Sequence, residues 1–400
     1  MVISRSVGTV PGMRSLLLGS VTALVTSLAL TIAAAPATAE RPDHQSSERA
    51  AYPALKVKRL VTGLDKPWDV RSLGGGRLIF TQRDRATLTV WAKGHKHGVR
   101  FPSSEVWVSG ETGLMGLEVD PGFAKNRRIY TCQGATTSGG HDVRVIAWRL
   151  NAKATKATKV RQLIGGFPSS SGRHGGCRLL IDSAGSMLVG TGDAAIGTNP
   201  QDKQSLGGKT LRLNRFTGAP WPSNPFAKAE SRNQRYVHTY GHRNVQGLSQ
   251  RADGSLWSIE QGTGRDDEVN RLVNGGDYGY NPVPGYNESV PMTDQSLPGK
   301  QIDAAWSSGD PTLATSGGGF VYGKRLGAYD GTLAVAALKA EQVLFLTLSK
   351  SGTLKRVQVP DALRRYGRIR TVVDGPASSF YVTTDNGGGT DVILRVRPRG

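Results

Sequence analysis

The sequence predicts an all-β protein, a six-bladed β-propeller, and three observations carry that prediction. Glycine accounts for 52 of 400 residues, nearly twice the usual share of about 7 percent, and turn-forming clusters recur throughout. Apolar residues almost never repeat at the spacing of an amphipathic helix. A short phrase, a small turn followed by a strand of alternating apolar residues, returns six times along the chain.

The copies are Gly76-Arg-Leu-Ile-Phe80, Arg128-Ile-Tyr-Thr-Cys132, Gly185-Ser-Met-Leu-Val189, Gly254-Ser-Leu-Trp-Ser258, Gly331-Thr-Leu-Ala-Val335 and Ser379-Phe-Tyr-Val-Thr383. They lie roughly 50 to 75 residues apart, room for one four-stranded sheet and its loops. Such a sheet cannot bury both faces alone. Six of them around an axis cover one another and leave only short edges, whereas a β-sandwich would use fewer strands. A strand near Val57 to Leu60 is expected to close the ring against the last blade. The propeller is therefore expected over 56–398, behind a flexible lead-in over 40–55 that is polar and aperiodic.

Ahead of it, Arg5 and Arg14 precede an uncharged run from Ser15 to Ala39 that ends in Ala37-Thr38-Ala39. A basic start, an apolar middle and a small-x-small exit read as a signal peptide over 1–39, cleaved before Glu40, so secretion is expected. A membrane anchor is the alternative. Pro36 and the small residues around it favour cleavage, and stable membrane insertion is not expected.

The formal net charge is +20, and removal of Arg5 and Arg14 with the leader leaves +18. These positives are spread along the chain without the basic, aromatic-interleaved stripe that grips strands, which argues against a nucleic-acid partner. Cys132 and Cys177 are the sole cysteines. Export permits them to pair, and two buried thiols remain the alternative.

No Gly-x-Ser-x-Gly elbow, His-Glu-x-x-His helix or complete Gly-x-Gly-x-x-Gly loop is present. Gly208-Lys209-Thr210 resembles the end of a P-loop, but Lys203 stands where its first glycine belongs. What the chain does carry is a series of polar groups set between glycines. In order these are Glu111-Thr-Gly-Leu-Met-Gly-Leu117, Arg173-His-Gly-Gly-Cys-Arg-Leu179 and Tyr240-Gly-His-Arg-Asn-Val-Gln-Gly-Leu248. They continue with Glu260-Gln-Gly-Thr-Gly-Arg-Asp-Asp-Glu268, Gly275-Gly-Asp-Tyr-Gly-Tyr280, Asp310-Pro-Thr-Leu-Ala-Thr-Ser316, Ala337-Leu-Lys339 and Arg368-Ile-Arg370. Polar residues after the six phrases, Gln82, Arg83, Asp193, Glu260, Gln261, Lys339, Thr384 and Asp385, are expected to converge at one mouth of the channel.

In this order, and over nearly the whole mature chain, the stretches resemble the soluble sugar dehydrogenases that use pyrroloquinoline quinone (PQQ), the glucose/sorbosone dehydrogenase family, whose fold is a six-bladed propeller. The resemblance implies that His174 is the general base that takes the proton of the sugar's anomeric hydroxyl, a task suited to an imidazole. Read without the family, it would be a structural histidine in a glycine-rich turn. Arg243 and Asn244 match the contacts to the quinone oxygens. Lys339, Arg368 and Arg370 match the partners of the cofactor's carboxylates, although an Arg-x-Arg also suits one solvated strand face. Glu111, Thr312 and Ala314 match residues near cofactor and substrate.

Calcium (Ca2+) is implied too, held through the carbonyls of Gly262 and Thr263, with a second, structural ion matched by Glu268 and Tyr278. The plain alternative for Asp266, Asp267 and Glu268 is an exposed acidic turn. Relatives often carry Pro at the position of Thr263, which leaves carbonyl ligation intact, and an acidic residue in some cases at the position of Arg173. The expected activity is oxidation of an aldose sugar to its lactone by hydride transfer to calcium-bound PQQ, with an electron acceptor the sequence does not name. The rivals are a non-catalytic propeller that binds glycans or proteins at its mouth, and a calcium-dependent propeller lactonase.

Overall fold

A computed structural model describes residues 51–399. The expected leader over 1–39 lies outside them. The expected lead-in over 40–55 is described only from residue 51, and Leu55 already opens a strand. Among the described residues no helix is long and apolar enough to cross a membrane.

The chain folds into six four-stranded antiparallel sheets. The first strands of the sheets, Pro67–Gly74, Leu114–Val119, Arg178–Ile181, Val245–Gln250, Thr315–Val321 and Ile369–Gly375, pack side by side in a closed ring. They are the inner strands of blades 1 to 6. The expected closure is present, and longer than expected. Strand Leu55–Leu64 pairs antiparallel with Asp391–Pro398, Val57 opposite Val396, and becomes the outermost strand of blade 6. Residues from the two ends of the described chain thereby share one sheet.

The six repeated phrases are not the innermost strands. Each falls in the second strand of its blade: Arg77–Gln82, Arg128–Thr137, Ser186–Gly190, Leu256–Glu260, Thr332–Ala337 and Ser379–Thr384. Second strands are covered by neighbouring blades on both faces, which explains why they read as near-continuous apolar runs. All six residues of Thr332–Ala337 are buried. Where blades 2 and 3 meet, Tyr130, Val145, Leu179, Val189 and Leu211 share one core. Cys132 and Cys177 form a disulfide across the same junction, with Cα atoms 5.4 Å apart.

This antiparallel pairing positions the site. A second strand ends where its inner strand begins, so two sets of residues meet at one end of the axis: those just before the six inner strands and those just after the six second strands. Glu111 precedes the inner strand of blade 2, His174 that of blade 3, Arg243 and Asn244 that of blade 4, Thr312 and Ala314 that of blade 5, and Arg368 that of blade 6.

Candidate active site

A cavity of about 310 Å³ opens at this end of the channel, lined by Lys66, Arg83, Glu111, Gln246, Arg368, Arg370 and Asp385, among others. Of the convergence expected from sequence, Arg83, Gln261 and Asp385 do line it. Gln82, Glu260 and Thr384 do not. Each is the last residue of its second strand, and successive side chains of a strand point to opposite faces. Gln82 instead holds the main chain of Asp65 and the hydroxyl of Thr87 (2.8 and 2.9 Å). Thr384 donates to Asp391 (2.7 Å). The same alternation puts Leu338 on the cavity wall and leaves its neighbour Lys339 exposed beside it.

Arg368 and Arg370, two residues apart on one strand face, both reach the cavity. Arg370 is buried. Burial weakens its hold on its proton, and the ion pair with Asp385 works in the opposite sense. Gln246 and Ser316 accept two further hydrogen bonds from it, each 3.1 Å. Arg368 is exposed and makes no ion pair among the described residues, as does Lys339. Lys66 and Arg83 both pair with Asp84.

His174 stands at φ 50°, in the left-handed region that a residue with a Cβ seldom occupies. Its neighbourhood fixes it there. A Cβ on Gly192 would lie 1.8 Å from the His174 carbonyl, so only glycine lets the chains approach so closely. Glu111 Oε2 accepts the His174 main-chain N–H (3.0 Å) and lies 3.5 Å from Asn244 Nδ2, while Asn244 Oδ1 accepts the N–H of Gly176 (3.1 Å). Glu111, His174 and Asn244 are therefore one bonded group.

The imidazole Nδ1 is 2.8 Å from Asp193 Oδ1 and 3.1 Å from the hydroxyl of Tyr286, whose own proton goes to Asp193 Oδ2 (2.7 Å). Two acceptors at Nδ1 assign the ring proton there. Nε2 is left with its lone pair and no hydrogen bond among the described residues, the form a proton acceptor requires.

Arg243 is buried. Its main-chain N–H donates to Glu260, and Nη1 donates to the Gln261 carbonyl (3.2 Å). Its Nη2 pairs with Glu288 (2.5 Å), a carboxylate that also takes two bonds from Arg173 (2.8 and 2.9 Å). Burial works against the Arg243 charge, yet the surrounding Tyr286, Glu288, Tyr280 and Asp193 more than offset it and hold the guanidinium strongly protonated. Its Nε is buried without a hydrogen-bond partner among the described residues.

The Gly262–Thr263 turn is built to leave its carbonyls open. Asp267, fully buried rather than part of an exposed acidic turn, accepts the N–H of Gly262 (2.9 Å), the Thr312 hydroxyl (2.9 Å) and the N–H of Leu313 (2.7 Å). Thr312 N donates to the Gly264 carbonyl (2.8 Å) and Thr312 Oγ1 accepts from Ala314 N (2.9 Å). A Cβ on Gly262 would meet the Arg265 carbonyl at 2.2 Å. The carbonyl oxygens of Gly262 and Thr263 accept no hydrogen bond among the described residues. Unspent carbonyls on a braced, buried turn are the donor set of a hard cation. No cluster of three or more His, Cys, Asp or Glu side chains forms a metal cage among the described residues.

The pair matched to a second ion, Glu268 and Tyr278, is buried. Glu268 is buried, and burial together with Glu260 pushes its carboxyl up to about 8. The Tyr278 hydroxyl is spent on the Arg271 carbonyl (2.6 Å) and the Val273 N–H (3.0 Å), and the ring stacks on His242.

Sequence reasoning missed three contributors. Lys66 precedes the first inner strand, and its position there is the signal that would have found it. Tyr286 and Glu288 lie in the long segment between Arg271 and Trp306, which has no periodicity and joins the site only through long-range contacts.

Comparisons with known proteins agree with this fold. Residues 64–395 match the family described as glucose/sorbosone dehydrogenase. The chain is 28% identical over 362 residues to aldose sugar dehydrogenase YliI of Escherichia coli, covering 88% of this chain and 95% of that protein. Among solved structures it is similar to the PQQ-bound aldose sugar dehydrogenase of Streptomyces coelicolor, with TM-score 0.73 and 28% identity over 87% of this chain and 100% of that one. It is similar also to the apo-form of the soluble aldose sugar dehydrogenase of Escherichia coli, with TM-score 0.78 and 27% identity over 86% and 100%.

Proposed function

This chain belongs to the glucose/sorbosone dehydrogenase family, and from that premise we propose that it is an exported enzyme oxidising aldose sugars to lactones with PQQ held over a calcium ion. The observation that carries the reading is the joining, at one mouth, of a bare imidazole nitrogen, a cation-lined cavity and a turn with two unspent carbonyls. PQQ supplies a two-electron acceptor for the hydride of the anomeric carbon, and calcium a Lewis acid beside it.

The residues divide the remaining work. Nε2 of His174 would take the proton of the anomeric hydroxyl as the C–H bond gives up its electron pair, so the cyclic sugar loses one proton and one hydride and becomes its lactone. Asp193 holds the ring and stabilises the imidazolium that forms. Arg243 and Asn244 offer fixed donors toward negative charge, which act more strongly in a site shielded from water. Arg368, Arg370 and Lys339 would bind the carboxylates of the tricarboxylate cofactor, and Glu111, Thr312 and Ala314 support that wall. The carbonyls of Gly262 and Thr263 would hold the calcium. Glu268 and Tyr278 would hold a second, structural ion. The electrons would leave to an acceptor of unassigned class.

The test is a titration of the purified apoprotein with PQQ and calcium, followed by the quinone absorbance and by dye reduction with aldoses. Saturable uptake at micromolar cofactor and aldose-dependent dye reduction are expected. No uptake would favour a glycan- or protein-binding propeller, and hydrolysis of lactones without dye reduction would favour a lactonase.

A further inference from the structure

Tyr286 and Glu288 come from a segment that belongs to no blade, yet both reach the group that surrounds His174. We infer that Tyr286 is a positioning residue for the proton acceptor, fixing the tautomer of His174 through Asp193, and that Glu288 is the latch that holds Tyr286 in place. The inference rests on the reading of His174 as the base.

The geometry leaves each hydrogen one place. Asp193 Oδ1 already accepts the Ala195 N–H (2.8 Å) and the His174 Nδ1–H (2.8 Å), and Oδ2 accepts the Tyr286 hydroxyl (2.7 Å). With its own proton spent, the Tyr286 oxygen can only receive from Nδ1, 3.1 Å away. The Tyr280 hydroxyl stands behind it at 3.4 Å. A proton moved to Nε2 would leave the Asp193 carboxylate and the Tyr286 oxygen facing a bare Nδ1, so the alternative tautomer loses two hydrogen bonds in a buried site. Burial and the Asp193 charge push the Tyr286 hydroxyl far above its ordinary value, so it stays a donor at every working pH.

The latch is equally specific. Glu288 receives two bonds from Arg173 Nη2 and one from Arg243 Nη2, and the Arg173 guanidinium lies over the Tyr286 ring at 5.7 Å. One carboxylate thus ties the segment to residues that flank the inner strands of blades 3 and 4. Among the described residues, the charged and titratable groups gathered about His174 are Asp193 at Nδ1, Tyr286 and Tyr280 beside it, Glu111 at its main-chain N–H, and Arg173 and the buried Arg243 joined through Glu288.

Removing the Tyr286 hydroxyl takes a donor from Asp193. The carboxylate then stabilises an imidazolium more strongly, while the neutral Nδ1–H form loses the Tyr286 oxygen as its second acceptor. Two measurements read this. In the full mature chain without cofactor, nitrogen NMR of labelled histidine is expected to report a single Nδ1–H tautomer for His174, and a mixture in Tyr286→Phe. In the loaded enzyme, Tyr286→Phe is expected to lower kcat about tenfold at neutral pH with KM unchanged, and to move the acid limb of kcat/KM upward by roughly one pH unit, the worth of one charge-assisted hydrogen bond. Glu288→Gln, a change at a half-exposed carboxylate, is expected to act in the same direction by about threefold, since it weakens the latch and leaves the hydroxyl.

An unchanged tautomer together with an unmoved acid limb in Tyr286→Phe overturns the assignment. A tautomer shift in a protein that oxidises no sugar supports the positioning role and removes the dehydrogenase reading, so the two claims fail separately.

Discussion

The two ends of the channel hold cavities of nearly equal volume, about 310 and 320 Å³, built from opposite ends of the same six inner strands. The far cavity is lined by Leu180, Ile181, Leu248, Phe320, Val372 and Val373; its Arg71, Glu118 and Arg178 are ion-paired, and Asp374 accepts the main-chain N–H of Tyr322 (3.1 Å). Arg71 bonds Asp69 and Glu118 (2.5 and 3.3 Å), and Arg178 bonds Asp69 (2.7 Å) while its guanidinium stacks over Trp68 at 4.0 Å. The near cavity has a cation with no ion pair among the described residues, Arg368, and beside it a backbone in left-handed conformations at His174, Cys177 and Ala314. Gln246 joins the two ends: its side chain accepts from Arg370 and its main-chain carbonyl from Arg178. Cavity volume therefore does not mark the site. Unspent charge, unspent carbonyls and constrained loops do, and among the described residues they gather at the end where the chain enters the first strands and leaves the second strands.

The comparison can be broken from either end. The largest expected effect is at the near end, where His174→Ala should lower aldose oxidation by about 10²–10⁴ with PQQ uptake retained, as read by dye reduction beside the quinone absorbance. Next, Arg370→Leu leaves Asp385 buried and unpaired, and should cost about 3–5 kcal/mol of stability in denaturant unfolding as well as cofactor binding. Arg368→Ala removes an exposed cation instead. It should weaken PQQ binding about tenfold, one lost charge-assisted contact, with the unfolding midpoint unchanged, and a stability loss as large as that of Arg370→Leu would show that the two cations do one structural job. The smallest effect belongs to the far end. Tyr322→Phe, which lines that cavity and bonds the main chain of Ala252 (2.8 Å), should leave kcat/KM within about twofold of the parent.

The same contrast explains what the sequence revealed. Blade number and ring closure are legible because they follow from burial. The six phrases are apolar since second strands are covered on both faces, and the strand around Val57 to Leu60 completes a sheet that would otherwise expose an edge. Glu111, His174, Arg243 and Arg368, assigned by the resemblance to the family, each stand just before an inner strand. Within those flanks a single residue decides the direction, so Arg83, Gln261 and Asp385 reach the cavity while Gln82, Glu260 and Thr384 turn away. Composition does not set that register. Asp267 read as one of three acids in a turn, and its role as the brace of Gly262 and Thr312 needed the third dimension. Tyr286 and Glu288 were illegible for a different reason, because an aperiodic segment leaves no local signal of where it docks. Tyr278 shows the reverse case, a matching residue whose hydroxyl serves the main chain of its own loop.

The central claim is that the near mouth holds an anionic quinone over a cation bound by main-chain carbonyls. Crystals soaked with PQQ and calcium chloride test it most directly. The account predicts planar cofactor density between Arg368, Arg370 and Lys339, with an ion on the carbonyls of Gly262 and Thr263 and His174 Nε2 facing open space above the ring. Density in the far cavity alone, or an empty near mouth at saturating cofactor, would contradict it.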